Sequence, residues 1–335
     1  MVWFKFALCL AIILFAGIKL ARYGDAIAEK TGLGRVWIGL VLLAGITSMP
    51  ELVTGVSSAG LVGSADLALG TILGSCSLNL AIIALLDILY ARTPVLSVAS
   101  PNHMASAGWG ILLVALAGGA VLAGERLSEL ALGWVGIPSI LILMLYLVVM
   151  WWMFRRERDR QVALAVGTSS AYKELPAKKV YLRFALAGMA VIGAGIWLSF
   201  IGNEIALTTG WDATFVGSLF LAITTSMPEL VVCIAALRLG AVDMAIANIL
   251  GSNMLNLALI APVDVFYTKG PILSAASVSN LVTAAVVIVM NLIVIAGLRF
   301  GQRRKILVAS SWYSPALVGL YILVAYVLFT SGLGL

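Results

Sequence analysis

The chain has 335 residues, of which 62% are hydrophobic and only 11% charged, and its mean hydropathy of +1.10 excludes a soluble domain. Its net charge of +6 does not indicate a nucleic-acid partner, because the basic residues lie between apolar runs and form no basic, aromatic-interleaved surface. Three cysteines, Cys9, Cys76 and Cys233, all fall in apolar segments and exclude a disulfide framework.

A hydrocarbon layer about 30 Å thick is crossed by about 20 apolar residues. Runs at 3–21, 36–61, 65–90, 106–124, 130–153, 181–201, 212–237, 243–267, 279–298 and 312–333 meet that requirement. They predict an all-α polytopic membrane protein of about ten transmembrane helices with the lipid bilayer as its surroundings. The first run has only Lys5 ahead of it and no small-x-small cleavage site before Arg22, so it reads as a span and not as a removed signal.

Short cytoplasmic loops are enriched in Lys and Arg. With the N-terminus outside, 18 of the 21 basic residues fall on inner loops and helix ends, including the eight from Arg155 to Arg183, while Lys5, Arg126 and Lys269 remain outside. Both termini are therefore expected outside a cell membrane, with the 154–180 loop in the cytoplasm. The FRRERDR run from Phe154 reads as a cytoplasmic anchor, and His103, the single histidine, as a solvated residue of a connecting loop.

An internal repeat organises these runs. AGIKLARYGDAIAEKTG from Ala16 returns as AGIWLSFIGNEIALTTG from Ala194, and ITSMPELV from Ile46 as TTSMPELV from Thr224, both displaced by 178 residues. DLALGTILGSCSLNLAI from Asp66 returns as DMAIANILGSNMLNLAL from Asp243, and PVLSVAS from Pro94 as PILSAAS from Pro271, displaced by 177. Each unit holds five spans, and an odd number starts the second unit on the opposite face, giving two inverted five-helix repeats. The repeats are expected at 1–153 and 181–335, joined by a 154–180 linker, with their motif-bearing regions at 39–90 and 217–267.

Each repeat carries Thr-Ser-Met-Pro-Glu inside an apolar run: Thr47, Ser48, Pro50 and Glu51, then Thr225, Ser226, Pro228 and Glu229. An acid at the centre of a membrane helix costs about 2.5–3.5 kcal/mol on insertion scales, so two such glutamates require a compensating cation, proton or watery cavity. Proline lacks an N–H and frees backbone oxygens one turn earlier, with Ala44 and Ala222 as candidate carbonyl donors. Helical spacing sets Thr47, Ser48 and Glu51 on one face, and likewise Thr225, Ser226 and Glu229. In the next span Ser75 and Asn79, and Ser252 and Asn256, stand four apart and project together.

Carboxylates, hydroxyls, amides and carbonyls without imidazole make a hard-cation site. Calcium takes six to eight oxygens in a flexible shell, sodium can use the same oxygens, and magnesium gives up water too reluctantly for a dry cage. Inorganic cations are thus the expected substrates, and no cofactor is expected. Cys76 reads as a packing residue, and Gly70, Gly74, Gly188, Gly193 and Gly195 as close-packing positions.

At these residues the chain resembles the cation/calcium exchanger superfamily, and specifically its sodium/calcium exchanger branch. That family's two repeats carry a TS-x-PE motif and then a GSN-x-x-N/D motif, matched by TSMPE with GSCSLN and by TSMPE with GSNMLN. The resemblance implies ten helices of which four enclose the ions, Glu51 and Glu229 as the principal calcium ligands, and Thr47, Ser48, Ser75, Thr225, Ser226, Ser252 and the carbonyls of Ala44 and Ala222 around sodium. It also implies that the first and sixth helices slide as a gating pair.

Asn256 stands where many such exchangers have aspartate, and Cys76 where asparagine is usual. The motif resembled by proton/calcium exchangers, with acids and histidine after GNAA, is absent, which favours sodium over protons as the coupling ion. The reading is therefore a sodium-driven calcium antiporter and not an enzyme, with a proton-coupled antiporter of calcium or another divalent cation as the alternative. An intramembrane hydrolase lacks a base and a nucleophile elbow. A channel would use similar oxygen rings, but broken helices in inverted repeats favour alternating access. A cysteine introduced between residues 161 and 172 is expected to react with a membrane-impermeant maleimide from the cytoplasmic side alone; labelling of sealed right-side-out vesicles would invert the arrangement.

Overall fold

The computed structural model describes residues 2–31, 34–90, 93–127, 129–164, 175–209, 221–300 and 311–332. The basic residues Arg92, Lys173, Arg303, Arg304 and Lys305 lie outside them, as does the start of the second motif region at 217–220. Eight described helices are long and apolar enough to cross a membrane. In chain order the main helices are α1 (Val2–Thr31), α2 (Arg35–Val62), α3 (Ala65–Leu89), α4 (His103–Ala123), α5 (Ile137–Leu164), α6 (Ala177–Thr209), α7 (Leu221–Thr225 and Met227–Arg238), α8 (Val242–Phe266), α9 (Ser279–Arg299) and α10 (Tyr313–Gly332), of which the described parts of α7 and α10 are not among those eight.

Large apolar side chains such as Phe4, Phe15, Leu122, Leu182, Phe200 and Leu292 are exposed on the outer helices, as expected where lipid takes the place of water. The interior is also largely apolar, and the buried polar residues lie enclosed within it. The apolar window of α8 is 94% buried and that of α3 72%, against 33% for α1 and α5, so α3 and α8 form the centre. They meet closely. Asn253 Nδ2 donates to the carbonyl of Cys76 at 3.1 Å, and Cys76 Sγ lies 3.7 Å from the carbonyl of Asn253, a reciprocal contact between equivalent positions of the two repeats. A Cβ at Gly251 would collide with the backbone carbonyl of Leu40, so α2 can lie on α8 only because position 251 has no side chain.

Two helices run well beyond the predicted spans. α1 has 30 residues and α6 has 33, and they pack along each other. Lys5 Nζ meets Glu204 Oε2 at 2.9 Å at one end of the pair. At the other, Arg183 Nη1 donates to Tyr23 OH at 3.4 Å, and Arg35 pairs with Asp25. The apolar run from 130 does not begin a helix as expected. Residues 131–136 form a short hairpin through Gly133 at φ 67°, and α5 starts at Ile137 and continues to Leu164, into the stretch read as a linker. Of the glycines read as packing positions, Gly188 faces Ile46 and Gly195 faces Pro50, whereas nothing lies within 4 Å of a Cβ at Gly193.

Four aspartates pin α3 and α8 to the opposite repeat. Asp66 Oδ1, at the start of α3, accepts from Ser277 N (2.7 Å) and Asn280 Nδ2 (2.8 Å). Its counterpart Asp243 accepts from Ser100 N at 2.6 Å and faces His103 Nε2 at 2.9 Å. His103 is therefore not a solvated loop residue: it is the fully buried first residue of α4, drawn inside by the carboxylate. At the far ends, Asp87 takes bonds from Val95 N, Ser311 N and Oγ, Tyr313 OH and Ser314 Oγ at 2.7–2.9 Å. Asp264 takes them from Ile272 N, Gly136 N and Ser139 Oγ at 2.6–2.8 Å.

Removing an acceptor that several buried donors share leaves each of them unpaired, at about 1–3 kcal/mol per group. Asp87→Ala is therefore expected to lower the thermal midpoint of the detergent-solubilised protein further than Asp66→Ala, whose clasp is smaller and partly exposed. A fluorescence melt of both variants measures this, and equal midpoints would contradict it.

Candidate cation site

The two TSMPE segments break their helices at the same atom positions. Ser48 and Ser226 each sit at φ −86°, ψ 6°, between the end of one helical piece and a second that starts at Met49 or Met227 with proline in its first turn. Pro50 and Pro228 have no N–H to give one turn back, which is why the break falls there. Glu51 and Glu229 then stand in the first turn of the second piece, where the helix dipole favours negative charge. The carbonyls of Ala44 and Ala222 each accept a backbone N–H, from Ser48 at 3.0 Å and from Ser226 at 3.1 Å. Each also accepts from the threonine three residues on, Thr47 Oγ1 at 3.4 Å and Thr225 Oγ1 at 3.3 Å, so both carbonyls are already doubly engaged within their helices.

The repeats exchange partners at the centre. Ser226 Oγ donates to Glu51 Oε1 at 3.1 Å, and Ser48 Oγ donates to Glu229 Oε1 at 3.2 Å. From α8, Ser252 Oγ reaches Glu229 Oε1 at 3.4 Å and lies 3.5 Å from Thr47 Oγ1. Thr225 and Ser75 neighbour the Glu51 carboxylate, Asn256 neighbours Cys76, and the two carboxylates are close enough to repel. All twelve positions singled out from the sequence, Ala44, Thr47, Ser48, Glu51, Ser75, Asn79, Ala222, Thr225, Ser226, Glu229, Ser252 and Asn256, are at most 1% exposed.

Several of their polar atoms have no hydrogen-bond partner among the described residues: Glu51 Oε2, Glu229 Oε2, Ser75 Oγ and both amide atoms of Asn79 and of Asn256. Buried polar atoms are ordinarily paired, so five oxygens left unpaired on these residues make them candidate cation ligands. The donors gathered here are carboxylate, hydroxyl and carbonyl oxygens, the kind that suit a hard ion. A cavity of about 340 Å³ lined by Trp37, Leu40, Pro101, Met104, Trp152 and Met153 shares no residue with the site, which is closed to solvent.

The sequence reading passed over Asp66, Asp87, Asp243, Asp264 and His103 as parts of the site's support. The signal was present: each pair of aspartates recurs at a displacement of 177 within or beside an apolar run, as do Ser100 with Ser277 and His103 with Asn280.

Inverted five-helix repeats that close over buried oxygens define a polytopic membrane protein of the cation-exchanger fold. The chain belongs to the sodium/calcium exchanger family: the family profile described as "Sodium/calcium exchanger protein" matches residues 1–155 and 179–332. Among curated relatives it is 28% identical over 271 residues to the inner membrane protein YrbG of Escherichia coli, covering 78% of this chain and 79% of that one. It is 32% identical over 156 residues to the sodium/calcium exchanger MaX1 of Methanosarcina acetivorans, covering 46% and 41%. In fold it is similar to the solved sodium-calcium exchanger NCX_Mj, with a TM-score of 0.71 at 20% identity and 96% of each chain covered.

Because each glutamate both carries charge and accepts the opposite repeat's serine, Glu51→Gln and Glu229→Gln are each expected to reduce calcium transport by at least about a hundredfold while leaving a folded protein, a loss of about 2.7 kcal/mol or more. Tracer flux in vesicles, with size-exclusion profiles as the folding control, measures this; wild-type flux in both single variants would place the site elsewhere.

Proposed function

We propose that this protein is a secondary antiporter that exchanges calcium for sodium across the cell membrane by alternating access. The observation that carries the proposal is the sealed pair of carboxylates, each with one unpartnered oxygen, together with the unpartnered oxygens of Ser75, Asn79 and Asn256. Calcium needs six to eight oxygens and a balancing charge near −2, and Glu51 and Glu229 with the hydroxyls and amides of both repeats offer both. Sodium is served by the same oxygens. The printed names of MaX1, a sodium/calcium exchanger, and of CaxA from Alkalimonas amylolytica, a putative antiporter, support the same reading.

Exchange, and not leakage, follows from the charge. An unpaired ion buried away from water costs several kcal/mol, as much as a millimolar ion gains on binding, about 4 kcal/mol. A core with two ionised glutamates and no cation is therefore a high-energy species, and the closed form is crossed only when it is loaded. The two carboxylates also support a second reading, in which protons neutralise them on the return leg and the coupling ion is the proton.

The termini are placed outside and the 154–180 linker in the cytoplasm on the Lys/Arg distribution. One chain carries both halves of the site, which supports transport without a second copy. Calcium uptake into proteoliposomes loaded in turn with sodium, with potassium, or with a proton gradient tests the proposal. Accumulation is expected with internal sodium alone; accumulation driven only by the proton gradient would replace the sodium reading with the proton one, and uptake without any counter-ion would make the protein a channel or uniporter.

A further inference from the structure

We infer that Asn253 is a positioning residue that sets the size of the cation site, and with it the preference for calcium over larger divalent ions, by fixing the distance between the two central helices; this rests on the reading of the site as a calcium site. Asn253 is buried within α8, and its Nδ2 donates to the carbonyl of Cys76 on α3 at 3.1 Å. Because a carbonyl can only accept, this contact also fixes which way the amide points. The residues that precede the pair in sequence, Ser75 and Ser252, are site residues, so the amide joins the two helices at the height of the ligands.

Packing alone does not account for an amide here. Cys76 is the equivalent position of the other repeat, displaced by 177, and fills it with a small thiol that comes only within 3.7 Å of the carbonyl of Asn253. Asn253 meanwhile leaves its Oδ1 without a partner among the described residues, a cost that cysteine at the same place does not carry. What the amide adds is the crossing bond. Ser252 is held through both of its neighbours: Gly251 lies against the backbone of Leu40 on α2, and Asn253 is tied to α3. Its hydroxyl then reaches Glu229 Oε1 at 3.4 Å and Thr47 Oγ1 at 3.5 Å. On α3, Ser75 neighbours the Glu51 carboxylate. The reach of one side chain therefore sets how far apart the hydroxyls of the two helices stand, and the spacing of oxygens is what distinguishes divalent ions of equal charge.

Binding of calcium, strontium and barium to the purified full chain, by calorimetry in detergent, and uptake of each into sodium-loaded proteoliposomes test the inference. Wild-type protein is expected to favour calcium. Asn253→Ala removes the crossing bond and is expected to weaken calcium binding about tenfold while leaving barium within about twofold, with kcat for uptake little changed. The swapped pair, Cys76→Asn with Asn253→Cys, rebuilds the bond from the other helix and is expected to restore the wild-type order. An Asn253→Ala protein that loses thermal stability but keeps the wild-type calcium-to-barium ratio would make the residue structural only and overturn the inference, as would a swapped pair that selects like Asn253→Ala. Should Asn253→Ala not fold, the swapped pair decides by the same ratio. Calcium binding with the expected ratios but no dependence of uptake on sodium would remove the exchange reading and leave this inference standing. A wild-type protein that binds no calcium would remove the calcium reading, and this inference with it.

Discussion

The structure depends on one constraint, the burial of two carboxylates that belong to opposite repeats and lean on each other's serines. Ser48 reaches across to Glu229 and Ser226 to Glu51, so neither repeat completes a site alone. A charge of −2 away from water is tolerable only in the company of cations or protons. The inverted duplication gives each repeat one half of the site, and the two halves meet through these cross-repeat bonds.

The rest of the core keeps these groups at fixed height. α3 and α8 are held at both ends by aspartates that bind the opposite repeat, and in the middle by the Cys76 and Asn253 contact. These bonds lie where lipid cannot supply a substitute partner, which makes them costly to break. By contrast α1 and α6 touch the site region through small residues: Gly195 rests against Pro50, and a Cβ at Gly17 would meet Val231 at 2.7 Å. The two long helices are joined to each other by Lys5 with Glu204 and by Arg183 with Tyr23.

Much of this was legible from the chain itself, for a physical reason. In a bilayer the backbone must satisfy its own hydrogen bonds, so length and hydropathy alone dictate helices, and a costly acid inside an apolar run announces its own importance. The repeat supplied the symmetry, and TSMPE with its serine and asparagine partners supplied the candidate ligands. What hydropathy could not convey was where helices end once they leave the lipid, so α1, α5 and α6 run farther than their apolar runs, and 131–136 turns into a hairpin.

The sequence by itself determined the ten spans, their inverted pairing and the set of polar residues inside them, because each of these follows from the cost of placing a group in hydrocarbon. Only the tertiary structure decided which hydroxyl serves which carboxylate, which oxygens remain unpartnered, and that His103 is buried against Asp243. Such pairings join residues about 140 to 230 positions apart in the chain, and no local pattern specifies a contact made by packing one repeat against the inverted copy of itself.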